Sequence, residues 1–462
     1  MREERLIVRP FEDFRILDYK AIQEVNEHAK ATVKGRIPFG RREDYIKAGK
    51  HQTWVQVAAV SEDDESILFY GVIEQLQIEV SDETCTVELS LCSGTQLMDY
   101  KEHIRSFQKD TLTYNNLLDV CHQEYDEPAR IMIEGSGKKI PHFIMQYRET
   151  DWEFMKRLAA MNHTVIIADC STKGEKYHFG IPDRKSDSEE TLSEYGTRYD
   201  MQEYWYKKSR GLTIHTEDTM SYIWESREVH KLGEKRIIDG RNVSIWKIES
   251  NLKGNELYHT CYMKSRSGFR TISYNNEYMA GVSLLGKVSK VEDEKVQIRI
   301  LSDENKGESG FCWYSFSTVY SSPDGTGWYC MPEIGDTVRL YFPTNREEDA
   351  YVASAYHEEG AGLRTNPDCK FWRNKEGKEI QLAPNRILLT NNDGTYIKLS
   401  DDEGIEIVSE GSVTVRASGS LSISSSGSSI EMSAPKKIRL RQGGTEMNLG
   451  GDLKMQGARI KL

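Results

Sequence analysis

From Ile380 to Leu462 the sequence repeats one short pattern. Two apolar residues sit one apart, a polar or glycine-rich gap follows, and another such pair begins. The pairs are Ile380/Leu382, Ile387/Leu389, Ile397/Leu399, Ile405/Ile407, Val413/Val415, Leu421/Ile423, Ile430/Met432, Ile438/Leu440, Met447/Leu449, Leu453/Met455 and Ile460/Leu462. Between Ile397 and Met447 they start 8, 8, 8, 9, 8 and 9 residues apart. Apolar-polar-apolar alternation is the period of a strand with one buried face. A fixed repeat of this kind predicts a solenoid or β-helix. Each strand offers only two apolar residues, so one chain would wind a ribbon with a thin apolar face and two unpaired edges, which proteins normally cover, charge or close. Three identical chains wound about one axis remove both difficulties. Every strand then pairs with strands of the other chains, and the apolar pairs meet in a narrow dry core. The competing reading is a low-complexity tail, because Ser418–Ser429 is mostly Ser and Gly. A disordered tail has no reason to keep the apolar phase through that run, yet Leu421/Ile423 and Ile430/Met432 hold it. The predicted trimer core is Ile397, Leu399, Ile405, Ile407, Val413, Val415, Leu421, Ile423, Ile430, Met432, Ile438, Leu440, Met447 and Leu449. Met455, Ile460 and Leu462 are the predicted tip or cap contacts.

Upstream, residues 1–110 read as mostly β. Trp54–Val60, Leu68–Ile73 and Cys85–Leu91 are predicted strands, with a charged turn at Ser61–Ser66. Helices are predicted over Thr113–Tyr125 and Asp151–Met161. The second opens on Thr150-Asp151-Trp152-Glu153, a capping box in which Thr150 and Glu153 satisfy each other's backbone amides. Phe154 and Leu158, four apart, share its buried face. Residues 185–275 are polar and mixed. From Gly281 short alternating strands return at Gly286–Val288, Val296–Ile300, Val338–Phe342 and Tyr351–Ala355, with turns at Gly325, Gly327 and Gly335-Asp336. Five or six short strands in about eighty residues suit a small OB-type barrel. Ala361–Pro367 links it to the repeat.

A chain of 462 residues holds several domains. A broadly spread net charge of -12 argues against nucleic acid as a partner. No stretch approaches the ~20 apolar residues of a membrane helix, and the charged start Met1–Arg5 lacks a signal peptide's apolar core. Both predict assembly in the cytoplasm. The eight cysteines are scattered with no C-x-x-C, which predicts free, often buried thiols.

The order of parts resembles the VgrG-type spike of contractile injection systems, related to contractile phage tail hubs and spikes. Leu68–Ile73, Leu89–Leu91 and Leu97–Tyr100 resemble the first hub barrel. Met145–Leu158 closely resembles the family's "QYxExDxxFxxRL" segment, and Met331–Phe342 with Tyr351–His357 resembles its barrel strands. The expected division is a first hub barrel at 1–110, helices and a second barrel at 111–275, an OB-fold domain at 276–362 and a trimeric β-helix at 363–462. The resemblance implies a mainly β homotrimer whose two similar barrels per chain present a pseudo-six-fold ring to a hexameric inner tube. It implies that the hub caps that tube at the baseplate and that sheath contraction drives the needle through a target envelope, with transient membrane contact and release outside the cell. It implies a separate PAAR-type tip protein, effector cargo, and no cofactor. Eleven strands at ~4.8 Å separation give roughly 50 Å of needle.

Candidate chemistry is sparse. Gly135-Ser136-Gly137-Lys138-Lys139 has Met132 and Lys139 where a phosphate loop needs Gly and Ser or Thr, so it reads as a turn. Glu149, Asp151 and Glu153 are carboxylates at a helix start, where the dipole stabilises negative charge; that reading is set against acid/base work. Cys121-His122 is a lone pair without metal-ligand spacing, and no H-x-H, H-E-x-x-H or G-x-S-x-G is present. No catalytic, cofactor or metal residue is predicted. An iron-holding H-x-H tip, which some related phage spikes carry, is not expected, nor is a fused effector or an inserted lysozyme-like domain. The expected function is therefore the structural spike. The alternative is a trimeric phage tail spike with receptor-binding or envelope-degrading activity. From Pro435 to Leu462 there are seven basic residues against two acidic ones, which reads as a solvated needle surface or as a patch for anionic lipid or an acidic tip partner.

Overall fold

The computed structural model describes residues 5–456 and 459, apart from 52, 62–63, 82–83, 185–191, 359–361 and 363. The chain divides into two compact units, Met1–Glu358 and Glu359–Leu462.

In the first unit, alternation places the core. Lys30–Pro38 turns Ala31, Val33 and Ile37 inward, and Thr84–Ser93 does the same with Cys85, Val87, Leu89 and Leu91. These join Val55, Val57 and Phe69 in one cluster, with Tyr45 contributed by the helix Arg42–Lys50. The predicted strand Trp54–Val60 has those bounds. Its neighbour is longer than predicted, Glu65–Ser81, so the expected turn ends before Glu65. The polar stretch after residue 185 supplies Gly196–Tyr199, Met220–Ser226, Lys235–Ile238, Arg241–Lys253 and Glu256–Lys264. These surround a second cluster that includes Ile238, Val243, Ile245, Cys261 and Met263. Arg15–Glu24 pairs antiparallel with Arg241–Lys253, so the two halves share one eleven-stranded sheet.

Between the halves, the helices Tyr114–Cys121 and Asp151–Met161 bury Leu117, Leu118, Trp152, Phe154 and Leu158 in a third cluster. Both are capped, by Thr113 and Thr150. The predicted second helix has those bounds. The predicted first helix, Thr113–Tyr125, ends at Cys121 and tightens into a 3-10 turn at His122–Glu124.

The next domain has five strands, Ser283–Glu292, Lys295–Ile300, Trp313–Ser315, Thr337–Tyr341 and Tyr351–Ala355. A parallel bridge from Phe316 to Val352 brings the two edge strands, Trp313–Ser315 and Tyr351–Ala355, together. Its core of Val288, Val296, Ile298, Val338, Leu340 and Val352 also takes in Phe143 and Met145.

The second unit begins as an antiparallel meander of Lys370–Arg373, Glu379–Ala383, Arg386–Thr390, Tyr396–Ser400 and Gly404–Val408. A three-stranded sheet follows at Ile438–Gln442, Thr445–Leu449 and Leu453–Gln456. Within the single chain described, these strands pair with their sequence neighbours, because short turns such as that at Gly394 (φ 73°) return the chain directly. Of the eleven expected strands seven form, Lys370–Arg373 adds one that was not expected, and the last pair, Ile460/Leu462, lies outside the described residues. Residues 409–437 form no strand, since no neighbouring segment of the same chain offers them a ladder.

Candidate functional site

The apolar pairs of the second unit stack in register. Ile380 faces Leu389 and Leu382 faces Ile387; Ile387 in turn faces Leu399, and Leu389 faces Ile397. Ile397 faces Ile407, and Leu399 faces Ile405. Because side chains alternate across a strand, all of these lie on one face. That face is open: Ile397 is 38% exposed and Ile405 73%. Farther on, Ile438 faces Leu449, and Leu440 faces Met447, which also faces Met455. Val413, Val415, Leu421, Ile423, Ile430 and Met432 are exposed in the stretch without strands. Ile460 and Leu462 lie outside the described residues. A continuous apolar stripe of this length exceeds what a solvated sheet face normally carries.

A second site is buried in the first unit, where the strands Glu102–Phe107 and Ile144–Thr150 pair beneath the five-stranded domain. Arg157 is 1% exposed. It donates to both oxygens of Glu149 at 2.7 Å, to Glu347 Oε1 at 2.9 Å and to Met145 O at 2.7 Å. Burial raises the Glu149 carboxyl above its ordinary range, against the pull of Arg157. Arg105 Nη1 donates to Asp151 Oδ1 at 2.6 Å, and Asp151 also accepts from Tyr125 and from Gln146 Nε2. Burial opposes the Arg105 charge, but Asp151, Glu304 and other neighbours together more than offset it and the guanidinium is held charged. Burial and the same carboxylate push the Tyr125 phenol up. Glu153 accepts from Thr150 N–H at 3.0 Å, closing the capping box. All three carboxylates of the Glu149-Asp151-Glu153 group are therefore engaged in ion pairs or a helix cap.

These contacts fasten the five-stranded domain to the helical layer. Ser106 N–H donates to Asp303, Ile104 N–H donates to Glu304 Oε1, and Gln108 Oε1 accepts from Gly310, Phe311 and Cys312. His103 Nδ1 lies 2.7 Å from Glu304 Oε2. His103, Glu124 and Glu304 come close enough to hold a metal ion. However, Arg105 stands among them, donating to Glu124 Oε1 at 3.2 Å with Nε 3.8 Å from Glu304. Arg105 and Lys101, which donates to Glu124 Oε2 at 2.7 Å, already bring positive charge to these carboxylates, so the donor set fits an ion-pair joint better than a cation site. Sequence reading missed Arg105, Arg157, His103, Glu304 and Glu347. One signal was present: in Met145–Leu158 the polar residues Gln146, Glu149, Asp151 and Arg157 sit among residues that bury, and all four are in this network.

Other candidates resolve into structure. Gly135 (φ 76°) and Gly137 (φ 70°) form a turn before a β-bridge at Lys139, with no helix behind it to bind phosphate. Cys121 is buried, and burial with the nearby Arg130 lowers the His122 imidazole to about 4. Ser226, His230 and Glu234 line up like a hydrolytic triad, with Ser226 Oγ 2.8 Å from His230 Nε2. But Arg236, which can only donate, reaches His230 Nδ1 at 3.3 Å and Glu234 at 2.6 Å. Nδ1 also lies 3.3 Å from both oxygens of Glu234, but that carboxylate is already engaged by Arg236, so the group that would orient the imidazole in a triad is tied into an ion pair.

No helix among the described residues is long and apolar enough to cross a membrane. No curated protein matches the chain by sequence. Residues 284–357 match the family model of the type VI secretion system/phage-baseplate injector OB domain. Among solved structures, an E. coli protein, c3393, is similar over 76% of this chain and 100% of its own, at 13% identity and a TM-score of 0.54. It is described as a type VI secretion component with structural similarity to the T4 bacteriophage tail proteins gp27 and gp5. A lidless PdpA–VgrG complex matches over 86% of this chain and 94% of its own, at 8% identity and a TM-score of 0.56. The lidded Francisella complex matches over 86% and 76%, also at 8% and 0.56. The chain thus has a VgrG-like spike fold, built around an injector OB domain of the kind found in type VI secretion systems and phage baseplates.

Proposed function

We propose that three copies of this chain join through the apolar face of the second unit to form the central spike of a contractile injection apparatus. One observation carries the reading: Ile380–Ile407 hold their apolar side chains in register on one exposed face. Exposed apolar area is stabilised by burial at roughly 25 cal/mol per Å², and two further copies supply that burial without any new sequence. Residues 409–437 continue the apolar spacing with no ladder in their own chain, so the other two copies are their partners. The pairing scheme is then mixed: neighbouring strands of one chain at first, strands of different chains beyond Val408.

In this reading the first unit is the hub, assembled in the cytoplasm. It seats on the inner tube within the baseplate, and sheath contraction pushes the needle through an envelope. A tip protein of PAAR type, with or without effector cargo, covers the needle end. The buried arginine joint supports this reading, because an axial push must pass from hub to OB domain without shear. Engagement of the Glu149, Asp151 and Glu153 carboxylates argues against an envelope-degrading site there.

The test is native mass in solution, for the full chain and for a version ending at Gly362. A trimer that dissociates on truncation supports the reading. A full-length monomer overturns it.

A further inference from the structure

The OB domain carries an outward hairpin, and a groove lies where residues 311–313 of the domain meet 108–111 and 140–143. From Thr318 to Trp328 the chain folds back on itself. Trp328 N–H donates to Tyr320 O at 2.8 Å, Ser322 N–H donates to Thr326 O at 2.8 Å, and Ser321 bridges Gly327. Gly327 has φ 150°, and a Cβ there would lie 2.5 Å from Tyr320 O, so this close return admits only glycine. The backbone is thereby satisfied locally while apolar side chains face out. Val319 is 89% exposed, Tyr329 69% and Tyr320 59%. Asp324 is the one charged residue between Phe316 and Met331. An ordered element with this composition marks a contact surface.

The groove measures about 600 Å³ and runs between Lys109–Thr111, Ile140–Phe143 and Phe311–Trp313. Lys109 Nζ stands 4.6 Å from the Phe311 ring centroid, and Phe311 is 47% exposed. Among the described residues, none of 317–330 lines it. Knob and hole therefore lie on one chain and do not fill each other.

We propose that the hairpin of one copy docks into the groove of the next copy, giving a ring of OB-to-hub contacts around the spike axis. The inference rests on the trimer reading and names a second interface for it. Two different patches on one chain make a head-to-tail contact, and such contacts close into a ring when the rotation fits. The tether favours closure. Only residues 356–369 separate the last barrel strand from the first strand of the second unit. Fully extended, that segment spans at most roughly 50 Å. Three OB domains gathered by a shared needle thus meet at high effective concentration, where a modest contact suffices. The hairpin, with its one charge at Asp324, would meet a groove that offers Phe143, Phe311 and Trp313 together with the charged Lys109 and Asp110.

The experiment places a photo-crosslinking phenylalanine analogue at Tyr320 of the full-length chain, with native mass measured on the same sample. The expected result is a trimer that gives light-dependent interchain bands, mapping to 109–111, 140–143 or 311–313. Phe311→Asp in that background should cut the bands by about tenfold while the trimer persists. A trimer with no interchain band, or with crosslinks to other surfaces or another protein, overturns this contact alone. A monomer overturns the shared-needle reading and this contact with it.

Discussion

Replacing Arg157 by Met tests the buried joint most directly. Met keeps much of the side-chain length and supplies no donors. In the parent, Arg157 satisfies Glu149, Glu347 and the Met145 carbonyl, and the two carboxylate residues are 6% and 3% exposed. Its removal leaves both acids buried without a counter-charge. Breaking a buried pair in this way costs ~3–5 kcal/mol, because the remaining charge keeps its desolvation penalty. Taking ~4 kcal/mol, and ~2.1 cal/mol/K per residue over the whole of Met1–Glu358, the unfolding entropy is about 0.75 kcal/mol/K and Tm falls by roughly 5 °C. The loss has a pH signature. Burial already raises the Glu149 carboxyl in the parent, and it rises further once the guanidinium is gone. A carboxyl whose folded pKa is raised binds more protons folded than unfolded, so the folded state gains as pH falls. The deficit of Arg157→Met should therefore shrink from pH 7 to pH 5. Calorimetry on the full chain across that range measures it. Glu149→Gln combined with Arg157→Met should show a smaller deficit with less pH dependence. A deficit under ~1 kcal/mol, the scale of an exposed ion pair, or one equal at pH 5 and pH 7, refutes the charge-burial reasoning.

Four further outcomes follow from the geometry. Ile405→Asp with Ile407→Asp places two charges on the open face and should convert the native mass from three copies to one; an unchanged mass means that face is not the interface. Burial lowers the His259 imidazole to about 4, below its unfolded value near 6.5. The folded state then binds fewer protons in that window, so stability is full above about 6.5 and falls by up to about 3 kcal/mol as pH drops towards 4. His259→Gln should flatten part of that slope in urea titrations, and an identical slope would assign the loss elsewhere. A Cβ at Gly94 would lie 2.1 Å from Gly174 O and 2.5 Å from the Trp54 ring, so Gly94→Ala should cost ~1–3 kcal/mol, and an unshifted Tm would show that the backbone yields freely. Finally, Arg439 and Arg441 alternate with Ile438 and Leu440 along one strand, which puts the basic side chains on the face opposite the apolar ones. Reversing Lys436, Lys437, Arg439 and Arg441 to Glu should weaken binding to anionic vesicles in low salt, and equal binding would leave that patch a solvated surface.

The parts of the fold that were legible in the sequence are those fixed by local chemistry. The Thr150/Glu153 box set a helix start correctly because both partners lie within one turn. Trp54–Val60 was legible because its apolar run is bounded by turn residues. Four of the five barrel strands were legible because period-2 alternation survives even at six residues, although Ser283–Glu292 runs well beyond the expected Gly286–Val288; Trp313–Ser315, three residues long, was not. The five strands after Gly196 were not, because much of their inward-facing side is polar or small: Ser244, Ser250 and His259 are buried there beside Ile248 and Cys261. Hydrogen bonds such as that between Ser250 Oγ and His259 Nδ1, at 2.7 Å, make such burial tolerable, and they leave no hydrophobic trace in the sequence. The joint was illegible for a related reason. Arg157 meets Glu347, 190 positions away, and no local pattern announces such a pairing. The apolar register of the needle face was legible, but the choice between neighbouring strands and other chains was not, because alternation fixes which face is buried and is silent on who pairs with whom.

The two sites differ in kind. The apolar face of the second unit repeats one non-directional pair of residues, so in the proposed trimer each pair adds a small increment and no single position is indispensable. The joint is directional. Its ion pairs and amide-to-side-chain bonds, at Ser106–Asp303, Ile104–Glu304, Gln108 with Gly310–Cys312, and Arg157–Glu347, all cross to the OB domain, from the strand Glu102–Phe107, the residue after it and the helix Asp151–Met161. Phe143 and Met145 cross with them into the barrel core. Hydrogen bonds fix angle and register, which apolar packing alone does not, while the surrounding burial keeps water from exchanging with them. In the proposed spike, thrust would call for a fixed angle at such a joint and for redundancy along the apolar face, and the polar and apolar contacts of this chain are distributed in that way.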